Sequence, residues 1–208
     1  MNAPSLGLYI AASLALIATP GQDMIYVITR SLAQGRLAGV ASALGVCTGI
    51  LLHTALAALG VGAILLASEA LFTGVKLVGA AYLVAIGVRM LFTRAGVPGI
   101  GAAAGHLTLP SLFAQGVLSN VSNPKIVLFF LAFLPQFVDP ASPHPTRDLA
   151  FLGVLYALMA LPVKSAVGIA AGSLSEKVLR RPSAIAWMNR VSGGVLVALG
   201  LRLAMTER

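Results

Sequence analysis

The sequence predicts an all-α integral membrane protein of about six transmembrane helices, arranged as two inverted three-helix repeats with broken first helices. Three observations carry this expectation. The composition is 58% hydrophobic and 10% charged, where a soluble domain averages about 25% charged. Six apolar runs lie between polar links, most of them close to the ~20 residues that cross a bilayer. Two of those runs are interrupted in corresponding places, by Thr19-Pro20-Gly21-Gln22-Asp23 and by Asn120-Val121-Ser122-Asn123-Pro124-Lys125.

The runs cover residues 6–29, 39–66, 71–92, 112–138, 149–172 and 189–204. The first opens without the basic segment of a signal peptide, so it is expected to be a retained span. Glycines recur in the second run at Gly45, Gly49 and Gly60, where small residues let membrane helices approach closely. The single cysteine, Cys47, lies beside two of them and excludes an internal disulfide. The last run is short, so a five-span variant stays open. The halves are residues 1–92 and 111–208, joined by a Gly- and Ala-rich link at 93–110. An odd number of spans in each half inserts the second half upside down relative to the first.

The net charge of +8 would suggest nucleic acid on a soluble chain. Here the cations lie mostly between apolar runs and set orientation, so no nucleic-acid partner is expected. Arg30, Arg36, Arg89, Arg94, Lys177, Arg180, Arg181 and Arg190 fall on one side; Lys76, Arg147, Arg202 and Arg208 fall on the other. Cytoplasmic links carry the excess of Lys and Arg, which places both termini outside.

The breaks hold the candidate site. Thr19 suits an N-cap, Pro20 the first helical position, and Gln22 completes a capping box. Asn123-Pro124 repeats the device. Each helix start would leave backbone N–H groups unpaired and favour an anion such as a carboxylate; the alternative is a simple proline kink. Asp23 could bind an ammonium group, carry a proton or pair with a lysine. Lys125 sits at the wrong end of its own helix dipole and is expected to face an acid or an anionic ligand. Lys164, just after Pro162, is a second carboxylate partner or the ion-pair partner of Asp23. His53 is a proton carrier, since imidazole titrates near neutral pH, or a buried ring bonded to a carbonyl. The candidate binding residues are therefore Pro20, Gly21, Gln22, Asp23, Asn120, Asn123, Pro124, Lys125 and Lys164, with Asp23 and His53 for proton coupling. No GxxxxGK[ST], HExxH or CxxC motif occurs, so no built-in ATPase, catalytic centre, metal or other cofactor is expected.

In order, Thr19-Pro20-Gly21-Gln22-Asp23, Gly35-Arg36, Ala58-Leu59-Gly60, Leu77-Val78-Gly79-Ala80-Ala81-Tyr82-Leu83, Gly87-Val88-Arg89, Phe113-Ala114-Gln115-Gly116, Asn123-Pro124-Lys125, Phe133-Leu134-Pro135-Gln136-Phe137 and Arg190-Val191-Ser192-Gly193-Gly194 form a specific set. The chain resembles the LysE/RhtB family of bacterial amino-acid exporters along nearly its whole length. That resemblance implies a multi-pass protein of the bacterial inner membrane that exports amino acids or related metabolites, in exchange for protons. Gln22 departs from the family pattern, which carries a second proline there. A passive channel, an exporter of another metabolite and a non-transporting membrane subunit are the rivals. The sequence leaves the substrate and the oligomeric state open, a homo-oligomer among the alternatives.

The charge bias yields a topology test. A reporter active only outside the cytoplasm, fused after Arg208, is expected to be active. Activity of a cytoplasmic reporter at that point would reject the both-out arrangement.

Overall fold

The computed structural model describes residues 3–61, 69–92, 106–139 and 142–173, with isolated helical positions between 187 and 205. These residues are helical with short links, and no strand occurs among them. Most of the 93–110 link, and the cations Arg94, Lys177, Arg180, Arg181, Arg202 and Arg208, lie outside the described residues, as do the side chains of Glu69 and Lys76.

Helix α1 (Ala3–Ala18) buries Tyr9, Ala12, Ser13, Leu16 and Ile17, a stripe at helical spacing. Its end is set by Pro20, which has no N–H to extend the ladder. The Thr19 hydroxyl donates back to the Ala15 carbonyl at 2.7 Å. Thr19 therefore closes α1 and does not cap the following helix as expected. The N-cap is Gly21, with no side-chain hydrogen bond, and α2 spans Gln22–Gln34. The two axes bend by 48° at the break.

At Gly35 the chain takes φ +86°, a conformation open to glycine and strained for other residues, and α3 (Arg36–Leu56) begins at the next residue. A π-helical stretch, Ala57–Val61, continues it. Helix α4 covers Glu69–Phe92. Helix α5 (Leu109–Val121) starts on a Thr108 cap with Pro110 in its first turn. After the second break, α6 (Pro124–Leu128) runs into a π-helical segment, Phe129–Phe133, and a 3₁₀ turn, Leu134–Phe137. That pair bends by 52°. Helix α7 (Pro145–Ser173) carries Pro162 in its interior.

Helix α3 is the centre of the packing, with α5 along one side and α7 along another. Glycine makes both contacts possible. A Cβ on Gly116 would lie 2.6 Å from the Ser42 carbonyl oxygen, and one on Gly45 would strike the Phe113 carbonyl. At the α7 contact, Gly39 and Gly168 meet backbone to backbone, and the Ser31 hydroxyl donates to the Gly168 carbonyl. A second aromatic core joins Phe129, Phe130, Phe133, Phe137, Tyr9 and Tyr156. The described positions of the last run pack on α4, where Gly87 approaches the Gly193 carbonyl.

The outer faces are apolar as well. Leu37, Leu44, Leu51, Leu52, Leu56, Leu118, Phe151 and Leu158 are exposed. A face of this kind suits contact with lipid, where polar side chains are costly. Arg36–Gly60 and Pro145–Ser173 are each long and apolar enough to cross a bilayer, and each bent pair would add one more span.

The glycine contacts predict an asymmetry in stability. Gly45→Ala overpacks the α3–α5 contact and is expected to cost about 1–3 kcal/mol. At Gly7 an added methyl meets nothing within 4 Å, so Gly7→Ala is expected to be neutral or to stabilise by up to about 1 kcal/mol. Thermal unfolding in detergent compares the two.

Candidate functional site

The two breaks lie against each other. Asp23, in the first turn of α2, is buried with 2% of its surface exposed. Its Oδ1 accepts from Asn123 Nδ2 at 2.6 Å and its Oδ2 from Asn120 Nδ2 at 2.8 Å. Both donors come from the second break. Lys164 Nζ of α7 stands 3.6 Å from Oδ2. Of the two roles open to Lys164 in the sequence, ion pairing with Asp23 is the one the geometry displays. A buried carboxylate is tolerable only with partners of this kind, because its desolvation costs several kcal/mol.

Lys125 is also buried, and of the acid or anionic ligand expected for it no acid bonds it among the described residues, where its partners are carbonyl oxygens. Nζ donates to Thr19 O at 3.2 Å and to Leu16 O at 3.4 Å. Pro20 has no N–H to give the Leu16 carbonyl, which accepts instead from Thr19 N at 3.2 Å, and a cation at a helix C-terminus interacts favourably with the dipole. The conflict of Lys125 with its own helix start is thus offset by the end of another helix. The ammonium lies against Gly21, where a Cβ would come within 3.1 Å of Nζ.

The breaks are not equivalent. The Asn123 side chain accepts from Lys125 N at 3.0 Å, so the second start is capped by its own sequence, with Pro124 at its first turn. The first start has no side-chain cap. Its N-cap, Gly21, lies beside the Lys125 ammonium. Two buried ammonium groups and one buried carboxylate leave one positive charge in excess among the described residues of this region.

Asn120 joins the remaining candidates. Its carbonyl lies 3.3 Å from His53 Nε2, while its side-chain oxygen has no partner among the described residues. His53 thus makes the carbonyl contact of a buried ring, and it also rests near Phe130, with centroids 5.9 Å apart. Gly49, one turn before His53 on α3, makes room for Asn120: a Cβ there would lie 2.7 Å from Asn120 Cβ. Pro20 and Gly21 are half-buried at the break, whereas Gln22 and Pro124 are exposed and stand apart from the Asp23 cluster's hydrogen bonds. The sequence marked Gly49 only as a small residue; its service to Asn120 depends on a contact between segments about 70 residues apart.

Comparison with known proteins finds relatives along nearly the whole chain. The family model described as LysE type translocator matches residues 14–207. The chain belongs to the LysE type translocator family. An uncharacterized membrane protein of Pseudomonas aeruginosa is 32% identical to this translocator, with 97% of each chain covered. A homoserine/homoserine lactone efflux protein of Salmonella typhimurium is 29% identical over 94% of each chain. A leucine efflux protein of Salmonella choleraesuis is 24% identical, covering 96% of this chain and 94% of the relative. No solved structure matches the chain. A translocator moves its cargo without covalent chemistry, so this one is not an enzyme.

The ion pair can be tested through stability. Lys164→Gln and Asp23→Asn each leave one charge of the pair without its counterion, which typically costs about 3–5 kcal/mol. Each single variant is expected to accumulate poorly in the membrane, and the double variant to recover. Quantitative immunoblotting of membranes and thermal unfolding in detergent check this.

Proposed function

We propose that this translocator is a secondary-active exporter of amino acids or close derivatives across the bacterial cytoplasmic membrane, working by proton antiport with alternating access. The observation that carries the reading is the pairing of both signs of charge at the helix breaks. An amino-acid zwitterion needs an anion and a cation site within a few ångströms of each other. Asp23, held by two amides, suits the substrate ammonium, which would take the place of Lys164. The uncapped start of α2 and the Lys125 ammonium beside it suit the carboxylate, because backbone N–H groups and a helix dipole favour an anion. The efflux activities named for the Salmonella relatives include homoserine and leucine, which carry both groups such a site would read, and homoserine lactone, which carries only the ammonium.

Coupling follows from shared use of one carboxylate. Asp23 can hold a proton or the substrate ammonium, and it cannot hold both. A carrier that crosses the membrane only with one or the other exchanges protons for substrate. His53 is the second titratable group of this path, linked to Asp23 through Asn120. The six spans would form two inverted halves, 1–92 and 111–208, and the bends of 48° and 52° at the breaks would be the places that flex between outward and inward states.

Counterflow between labelled and unlabelled amino acids, run across a panel of substrates, separates a carrier from a channel. The Asp23→Asn/Lys164→Gln double variant is expected to accumulate and to carry nothing, and Lys125→Gln to lose at least about 90% of efflux. Full transport by the double variant would sink the proposed site. Dissipating the proton gradient is expected to stop uphill efflux. His53→Asn is expected to keep counterflow while losing gradient-driven export; unchanged export would leave His53 a packing residue.

A further inference from the structure

One face of α2 continues beyond Asp23 as a polar seam against α5. Tyr26, Arg30 and Gln34 follow at helical spacing, and each reaches across. The Tyr26 hydroxyl donates to the Leu112 carbonyl at 2.7 Å. Arg30 Nη2 donates to Gln115 Oε1 at 3.0 Å. Gln34 Oε1 accepts from Leu107 N at 3.1 Å, which turns its amide nitrogen away from that contact. Two donors are left over. Arg30 Nη1 and Gln34 Nε2 are enclosed and have no hydrogen-bond partner among the described residues. Nor is a carboxylate seen to pair with Arg30 among the described residues, where Asp148 pairs with Arg147 and Asp23 with Lys164.

A half-buried guanidinium without an anion is expensive, and its planar fork is suited to a carboxylate held by two parallel hydrogen bonds. The spare groups one turn apart are both donors. That pattern recognises an oxyanion and offers nothing to an ammonium. Along α2, Arg30 is seven residues from Asp23, about 10 Å at 1.5 Å per residue, on the side of the Gly35 link.

We infer that Arg30, with Gln34 and Gln115, forms a second station that takes the substrate carboxylate on its way between the Gly35 side of the membrane and the central site. The inference rests on the amino-acid reading above. Arg30 meets the carboxylate as the α2–α5 seam opens and passes it to Lys125 and the α2 start. It sets how readily substrate is taken from one face and leaves the affinity of the central site untouched. The enclosed position of the free donors favours a cargo that enters the seam over a lipid headgroup that stays at the surface.

The test uses the full-length protein in sealed vesicles of both orientations. Exchange of radiolabelled homoserine, leucine and the other standard amino acids is measured from each face. For the amino acids that the wild type exchanges, Arg30→Gln is expected to raise the half-saturating concentration about tenfold from the Gly35 side and leave it unchanged from the opposite side. Arg30→Lys, which keeps the charge and loses the fork, is expected to recover part of that loss. Lys125→Gln is expected to impair exchange from both faces. An equal effect of Arg30→Gln from both faces, or no effect, overturns the station and leaves the central site standing. A one-sided effect that disappears in vesicles of pure phosphatidylcholine assigns Arg30 to an anionic headgroup and likewise overturns it. A wild type that exchanges none of the amino acids overturns the amino-acid reading, and the station with it.

Discussion

The carboxylate of Asp23 is the constraint on which the centre of the molecule depends. It is buried, so its charge must be met by partners inside the protein. Asn120 and Asn123 come from the second break and Lys164 from α7. One side chain in the first turn of α2 thus holds together segments from both ends of the sequence. Removing α5, the second break or α7 from this arrangement would each take one partner from the carboxylate. The cost of that charge makes the packing of the three elements specific where apolar contacts alone would tolerate slippage.

The same economy explains why a broken helix survives here. Pro20 removes an N–H from the end of α1, and in an apolar surrounding a carbonyl left short of donors is costly. Lys125 supplies a donor to the carbonyls of Leu16 and Thr19. Its own helix start is capped by Asn123, so the second break is nearly self-sufficient. The first break has only Gly21 at its start, and no side chain caps α2. Two motifs that look alike in sequence therefore do different work: one supplies amides and an ammonium, the other supplies the acid and an open helix end.

Around this centre, α3 transmits the geometry. Its glycines bring α5 and α7 close enough that Asn120 reaches Asp23 past Gly49 and Lys164 reaches it from the far side. A helix with larger residues on that face would hold its neighbours a few ångströms further off, beyond the reach of these short amide side chains. The apolar residues on the outer face of α3 carry no such burden and are exposed.

The membrane class, the helicity of the described runs, both breaks and the membership of Asp23, Asn120, Asn123, Lys125 and Lys164 in one region were legible in the sequence. They follow from local properties: apolar length, a proline that stops a hydrogen-bond ladder, and charges too deep to be solvated. The role of Thr19 was not legible, because a hydroxyl before Pro-Gly can cap the next helix or bond back to the last turn, and only the path of the chain after Gly21 decides between them. The partners of Lys125 and Lys164 were not legible either. Each lysine had an acid and an anionic ligand as candidates, and the sequence carries no record of which helix end or carboxylate lies within 4 Å. The tertiary structure assigned Asp23 to Lys164 and the α1 carbonyls to Lys125, because charge pairing inside a membrane is settled by distances between segments that are far apart along the chain.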